Sequence, residues 1–467
     1  MHRKTVLLGT VLFVLLCSSL FLSVKSDASS WVQNYGGLNW DSARAVIETS
    51  DGGYALAGTC NYKYGVTTDF WLVKTDAAGN MEWNKTYGGT EDEAAYSLIA
   101  TSDGGYAIAG TTKSFGAGNY DCWLIKTDAS GNVEWSQTYG GGADEAAYSL
   151  IATSDGGYAL AGFTRSFGAG GMDGWLIKTD AAGNMEWNMT CGGAEDDVAY
   201  SLVNASDGGY ALAGVFNCSE NWWITSYIDF DWGGDFWLVK TDAAGNMAWN
   251  MTYGGAGHDG AHSLVATSDG GYALAGVWNG TYDWEEPHAG AFWLVKTDAA
   301  GKMEWNRTYI DYTQPFGEAH WGNEYAYSLV ATSDGGYALA GAWNYVQLWS
   351  TWSSPYHSGF WLVKTDGLGN EEWNQSYGGG AMDLAYSLIA TSDGGYALAG
   401  VTTSFSVGDG QFLAGDVGDF WLVKTDENGV APVAPEAAWI ILPSIAIATV
   451  SIFISRKKLL RKNSEAF

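Results

Sequence analysis

The tetrapeptide Asp-Gly-Gly-Tyr occurs seven times, with its acid at Asp51, Asp103, Asp155, Asp207, Asp269, Asp334 and Asp393. The copies stand 52 to 65 residues apart, and the sequence around each tetrad repeats with it. A period of this size means a repeat architecture, in which each unit buries its apolar face only against its neighbours. The length of 467 residues would by itself suggest about three domains, but the repeat replaces that expectation with one array.

One unit, residues 95–141, reads AYSLIATSDGGYAIAGTT, a loop, then DCWLIKTDASGNVEWSQTYGG. The β-branched and aromatic runs predict strands at 96–101, 106–112, 122–127 and 134–139. Asp103-Gly104-Gly105 and Asp128 to Asn132 supply the turns, through Asx bonding and glycines free to take positive φ. Four antiparallel strands in about 50 residues describe a propeller blade. Alanine and glycine crowd the first two strands, and Trp and Tyr the last two, so the taper predicts small residues near the axis and large ones at the rim.

The ends of the array settle its closure. Residues 31–37 read as a fourth strand without its first three, and 420–429 as a third strand without its fourth. Joined, they complete one blade and remove two exposed sheet edges. The fold class is therefore all-β: a seven-bladed β-propeller of four-stranded antiparallel blades, closed by the N-terminal strand, with a C-terminal transmembrane helix.

Residues 1–28 read as a signal peptide, with a basic start at Arg3-Lys4, an apolar stretch over 5–24 and small residues at Ser26 and Ala28. The stretch is long enough to serve instead as an uncleaved anchor. The propeller ectodomain is placed at 29–430 and a Pro-containing linker at 431–436. The uncharged residues 437–455 are predicted to cross a membrane, with 456–467 as a basic cytoplasmic tail. This predicts a single-pass protein of the cell membrane with its ectodomain outside. Residues 28–436 hold 14 basic and 50 acidic side chains, a balance that repels phosphate and excludes nucleic acid as a partner. Cys60, Cys122, Cys191 and Cys218 occupy four different repeat positions without metal-ligand spacing, and are expected to be buried free thiols.

The repeat SDGGYALAG…DFWLVKTDAAGNMEWN resembles those of archaeal and bacterial cell-surface β-propeller proteins. Its last two strands are similar to the quinoprotein repeat. Quinoprotein enzymes often carry adjacent cysteines, which this chain lacks, so their activity is not carried over. The end, Pro435-Glu436-Ala437-Ala438-Trp439 before an apolar run and Arg456-Lys457-Lys458, resembles archaeal C-terminal sorting tails, with Ala437 where those have Phe. The resemblance implies a surface location and leaves the ligand open.

Candidate functional residues gather on one face. Blades 4 to 6 carry long connections between second and third strands, at 215–234, 277–290 and 342–359, with a milder one at 401–418 in blade 7. Second-to-third and fourth-to-first connections emerge together, on what is here called the top face. Ten tryptophans outside the repeat core fall there or at its edges: Trp40, Trp222, Trp223, Trp232, Trp278, Trp284, Trp321, Trp343, Trp349 and Trp352. Tyr227, Tyr282, Tyr312, Tyr345 and Tyr356 join them. Flat rings beside carboxylates suit a glycan or another surface protein; the rings could equally pack on one another within the insertions. The ligand candidates are Trp222, Trp223, Trp232, Trp284, Trp321, Trp349, Trp352, Tyr282 and Tyr356.

An acid stands three residues before each predicted first strand, at Asp41, Glu93, Glu145, Asp197, Asp259, Glu324 and Asp383. Such a ring could hold a divalent cation such as calcium at the channel mouth, or cap neighbouring backbone; no other cofactor is expected. His258, His262, His288 and His320 are weak metal candidates, joined on the same face by His357. Asn84, Asn188, Asn250, Asn306 and Asn374, each in Asn-x-Ser/Thr on the predicted rim strand, are glycosylation candidates. A binding or adhesion module is the first reading. The alternatives are an extracellular carbohydrate-acting enzyme using Glu285, Glu286 and His288, for which no motif fixes roles, and a structural envelope component.

Overall fold

A computed structural model describes residues 30–37, 39–62, 67–218, 234–255, 257–278, 290–310, 323–345, 358–379, 381–405 and 418–432. Its strands form seven four-stranded antiparallel sheets. In blade 2 the order from the axis outward is Glu93–Ala100, Tyr106–Thr112, Asp121–Thr127 and Val133–Tyr139. The closing blade is built as expected: Trp31–Tyr35 pairs antiparallel with Asp419–Lys424, from Trp31 opposite Lys424 to Tyr35 opposite Phe420. Its two inner strands are Asp383–Ala390 and Tyr396–Thr402. The expected signal peptide at 1–28 and the expected membrane-crossing segment at 437–455 lie outside the described residues. Among the described residues no helix is long and apolar enough to cross a membrane.

The tetrad does two jobs. Asp103 accepts a bond from the Gly105 amide, which closes the hairpin, and its other oxygen receives the Lys126 ammonium at 2.7 Å. Lys126 is buried, and it also reaches Glu134 and the Thr127 carbonyl. The same clamp recurs at Lys74, Lys178 and Lys296. The last glycine of YALAG is a close-approach position: a Cβ on Gly110 would overlap the carbonyl oxygen of Ala94. The first two strands pack closely because this residue is glycine.

Neighbouring blades meet through repeated contacts. Phe70 of blade 1 packs on Trp123 of blade 2 with ring centres 4.8 Å apart, and Phe420, Phe236, Phe292 and Phe360 do the same to the next Trp. The hydroxyl of Tyr87 donates to the Gly131 carbonyl of the following blade at 2.7 Å. Tyr35, Tyr139, Tyr253, Tyr309 and Tyr377 make equivalent bolts. The innermost strands are joined by serine, with the Leu150 amide donating to Ser97 Oγ at 3.1 Å.

Two expectations change. The innermost strand starts at Glu93, not at residue 96, because the Glu93 amide bonds the Thr68 carbonyl and Glu93 pairs with Thr112. The axis is not lined only by small residues. A bulge between Ala95 and Ser97, repeated in the other blades, leaves Tyr96 outside the ladder. The four cysteines are buried and unbridged, as expected.

Candidate functional site

The top face is organised by the seven predicted acids, all of them buried. Glu93 begins its strand. Its Oε2 accepts the Gly89 amide at 2.9 Å, and its Oε1 accepts Thr112 Oγ1 and the Ser114 amide. One carboxylate thus ties the crossover from the preceding blade to the connection between strands two and three. Glu145 repeats this through Gly141, Thr164 and Ser166. Asp383 does so through Gly379, Thr402 and Ser404. Asp41 and Asp197 hold Gly37 and Gly193 on one oxygen and Asn61 and Asn217 on the other. Those two asparagines sit at positive φ, 65° and 58°, which Asn tolerates better than most residues. Asp259 holds Gly255, and Glu324 is buried at the matching position. The geometry is that of the backbone-capping alternative.

A second set of acids was not anticipated. The third strand opens with Asp69, Asp121, Asp173, Asp235 and Asp419 in five blades, against Ala291 and Gly359 in blades 5 and 6. Each lies beside the capping acid. A Cβ on Gly88 would collide with both Asp69 and Glu93, and one on Gly140 with both Asp121 and Glu145. Burial raises the Asp69 carboxyl, and the Glu93 charge adds to it. Asp41 is pushed up to about 6 by burial, against the Asn61 amide that favours its ionised form, and with Asp419 adding in the same direction. The repeated Asp before the Phe-Trp-Leu run was the available sequence signal.

Among the described residues no three metal-ligating side chains converge. His262 is not in a top-face connection: it lies within the innermost strand Gly260–Ala266, between the rings of Tyr200 and Tyr327. Burial lowers its imidazole to about 4. His258 is half-buried before that strand, its imidazole lowered by burial against the charge of Asp259. His288 and His320 lie outside the described residues.

So do Trp222, Trp223, Trp232, Trp284, Trp321, Trp349, Trp352, Tyr282 and Tyr356. Of the top-face tryptophans that are described, Trp40 and Trp343 pack against the core, while Trp278 is 40% exposed. The flanks of the three long insertions are in place: Tyr210–Cys218 and Asp235–Thr241, Tyr272–Trp278 and Ala291–Thr297, Tyr337–Tyr345 and Gly359–Thr365. All three gaps open at the end of the sheet that carries the capping acids.

The rim asparagines lie on outer strands, as expected. Asn84, Asn188, Asn306 and Asn374 accept the indole N–H of Trp71, Trp175, Trp293 and Trp361. Asn84, Asn188, Asn250 and Asn306 are exposed, their amide nitrogens directed to a methionine sulfur. At those four positions the asparagine thus serves the blade's own tryptophan.

The sheet order and the closing strand define the molecule as a seven-bladed β-propeller. The chain is 27% identical over 202 residues to the regulatory protein FlaEY of Caulobacter vibrioides, a match covering 35% of this chain and 21% of that protein. It therefore spans about a fifth of the length of that curated relative. Among solved structures it is similar to the Pan2 WD40 domain of Neurospora crassa, with a TM-score of 0.47 and 9% identity over 85% of this chain and 100% of that one. It is also similar to a family PL25 ulvan lyase, with a TM-score of 0.47 and 10% identity over 85% and 97%. At these scores the likeness bears on neither ligand nor activity. No family model matches the chain.

Proposed function

We propose that this propeller is a binding module of the cell surface, held at the membrane by residues 437–455. It engages a glycan or a surface protein through the top face of blades 4 to 6. The observation that carries this reading is positional. The three long aromatic-rich insertions leave adjacent blades at one end of the ring, the end of the sheets that carries the capping acids. Tryptophan and tyrosine supply large contact area at low side-chain entropic cost. Trp278 lies at the root of the second insertion and is exposed.

Titration of the full-length protein with a panel of polysaccharides and envelope proteins, read by tryptophan fluorescence, tests it. One of them is expected to quench the signal, and Trp222→Ala/Trp223→Ala or Trp278→Ala to weaken that ligand at least about tenfold. No quenching by any of them, or quenching that survives all three substitutions, would remove the proposal.

A further inference from the structure

A cavity of about 330 Å³ opens at the rim, where blade 2 meets blade 3. Blade 2 contributes Gly140, just past its outer strand Val133–Tyr139. Blade 3 contributes Phe167 and Trp175, and Met185, Asn188 and Thr190 from its outer strand Met185–Cys191. The volume lies at the lower end of the range for small-molecule sites. Two of the lining residues belong to one motif: Asn188-Met189-Thr190 is Asn-x-Thr, the acceptor sequence for N-linked glycosylation. Phe167 is 46% exposed and packs on Trp175 with ring centres 5.7 Å apart. Trp175 in turn donates its indole N–H to Asn188 Oδ1 at 3.0 Å. An aromatic wall therefore runs up to the acceptor asparagine.

The indole bond holds Asn188 by its oxygen, and N-glycosylation leaves that oxygen in place. The atom that would carry the sugar is Nδ2. It is turned to the Met185 sulfur at 3.3 Å, a weak acceptor whose bond costs little to lose. The Asn188 side chain is exposed, so the position is open to a modifying enzyme. A sugar ring has an apolar C–H face that packs on aromatic rings, and hydroxyls at its edge that reach water. The other blades separate the two features. Blade 2 has the same wall, Phe115 on Trp123, but Ser136 where Asn188 stands. Blade 7 has Phe405 on Trp421, yet its outer strand Trp31–Tyr35 holds no acceptor motif. Blade 3 joins wall and acceptor in one cavity.

We propose that Asn188 carries an N-linked saccharide whose first sugar lies in this cavity, against Phe167 and Trp175. The transfer joins Asn188 Nδ2 to C1 of the sugar of a lipid-linked sugar diphosphate. The bond from C1 to the diphosphate oxygen breaks, and the lipid diphosphate leaves with the proton from Nδ2. The inference rests on the reading that the propeller lies outside the cell, and it does not depend on the ligand of the top-face insertions.

Glycopeptide mass spectrometry of the full-length protein from its own cells tests the proposal, with biotinylation of intact cells by a membrane-impermeant reagent alongside. The peptide containing Asn188 is expected to carry a saccharide in the wild type and in Thr190→Ser, and none in Thr190→Ala. Thr190→Ala keeps Asn188 and its bond to Trp175, so it removes the motif alone; thermal unfolding confirms that each variant is folded. A bare Asn188 in wild-type protein that is biotinylated on intact cells would overturn the proposal and leave the surface reading standing. A bare Asn188 in protein that escapes biotinylation would overturn both. Met185 reports whether the sugar sits in the cavity. Peroxide is expected to oxidise it at least about twofold faster in Thr190→Ala than in the wild type, because the seated sugar covers its sulfur. Equal rates in glycosylated and bare protein would overturn the placement of the sugar.

Discussion

The serine after each bulge shows how much one atom can carry. Ser97, Ser149, Ser201, Ser263, Ser328 and Ser387 each accept the amide of a residue on the next blade's innermost strand. Blade 1 has Ala45 at this position, so the Leu98 amide meets a methyl group where its counterparts meet a hydroxyl. Ala45→Ser is expected to stabilise the fold by about 0.5–1.5 kcal/mol, the worth of one net hydrogen bond, read as a shift of the denaturation midpoint. An unchanged or lowered midpoint would show that the hydroxyl cannot reach. None of this was legible in the sequence. Ser97 looks like an ordinary strand residue, and its partner lies 53 residues away on another blade. Tyr96 was hidden for a related reason. An alternating strand would have directed it by parity alone, and only the bulge frees it to meet its counterparts.

At the scale of strands and seams, duplication makes the exceptions informative. Between blades 3 and 4 both repeated contacts are altered. Gly174 stands where Phe70 stands in blade 1, and Cys191 where Tyr87 does. That seam has neither the Phe–Trp stack nor the tyrosine bolt. A local cluster of Phe163, Met172, Val198, Val215 and Cys218 fills the space nearer the top face. The closing seam keeps both devices, through Phe420 on Trp71 and Tyr35 on Gly79. Amide exchange is therefore expected to be faster in the outer strand Met185–Cys191 than in Val133–Tyr139, whose Tyr139 is bolted to Gly183. Equal protection would mean that the apolar cluster compensates fully.

For the whole molecule, acidity acts in two opposite ways. The top-face carboxyls Asp41, Asp69, Asp121, Asp197 and Asp383 are all raised, chiefly by burial. A raised carboxyl favours the fold most when protonated, and that contribution is lost as pH rises through its folded value, near 6 for Asp41. The clamp carboxyls behave oppositely. The Lys74 ammonium lowers Asp51 to about 2, and Lys126 and Lys178 lower Asp103 and Asp155 further, so their contribution is lost as pH falls below 4. Thermal stability is expected to rise from pH 7 to pH 5 and to fall below pH 4, measured by melting at constant ionic strength. A monotonic rise with pH would contradict the burial of the top-face acids. The sequence alone determined the number of blades, the strand order and the closure. Those follow from a period, from residue types suited to strands and turns, and from two fragments that complete each other. It also determined that the long insertions share one end, because strand count sets which face each connection leaves. Only the tertiary structure decided what the repeated side chains meet. Six of the seven acids turned inward onto glycine amides, the tetrad Asp found a lysine, and seven bulged residues closed a ring around the axis. Each of those contacts joins residues from different strands or blades, at distances set by sheet register and by the wedge angle between blades. No spacing along the chain encodes that geometry.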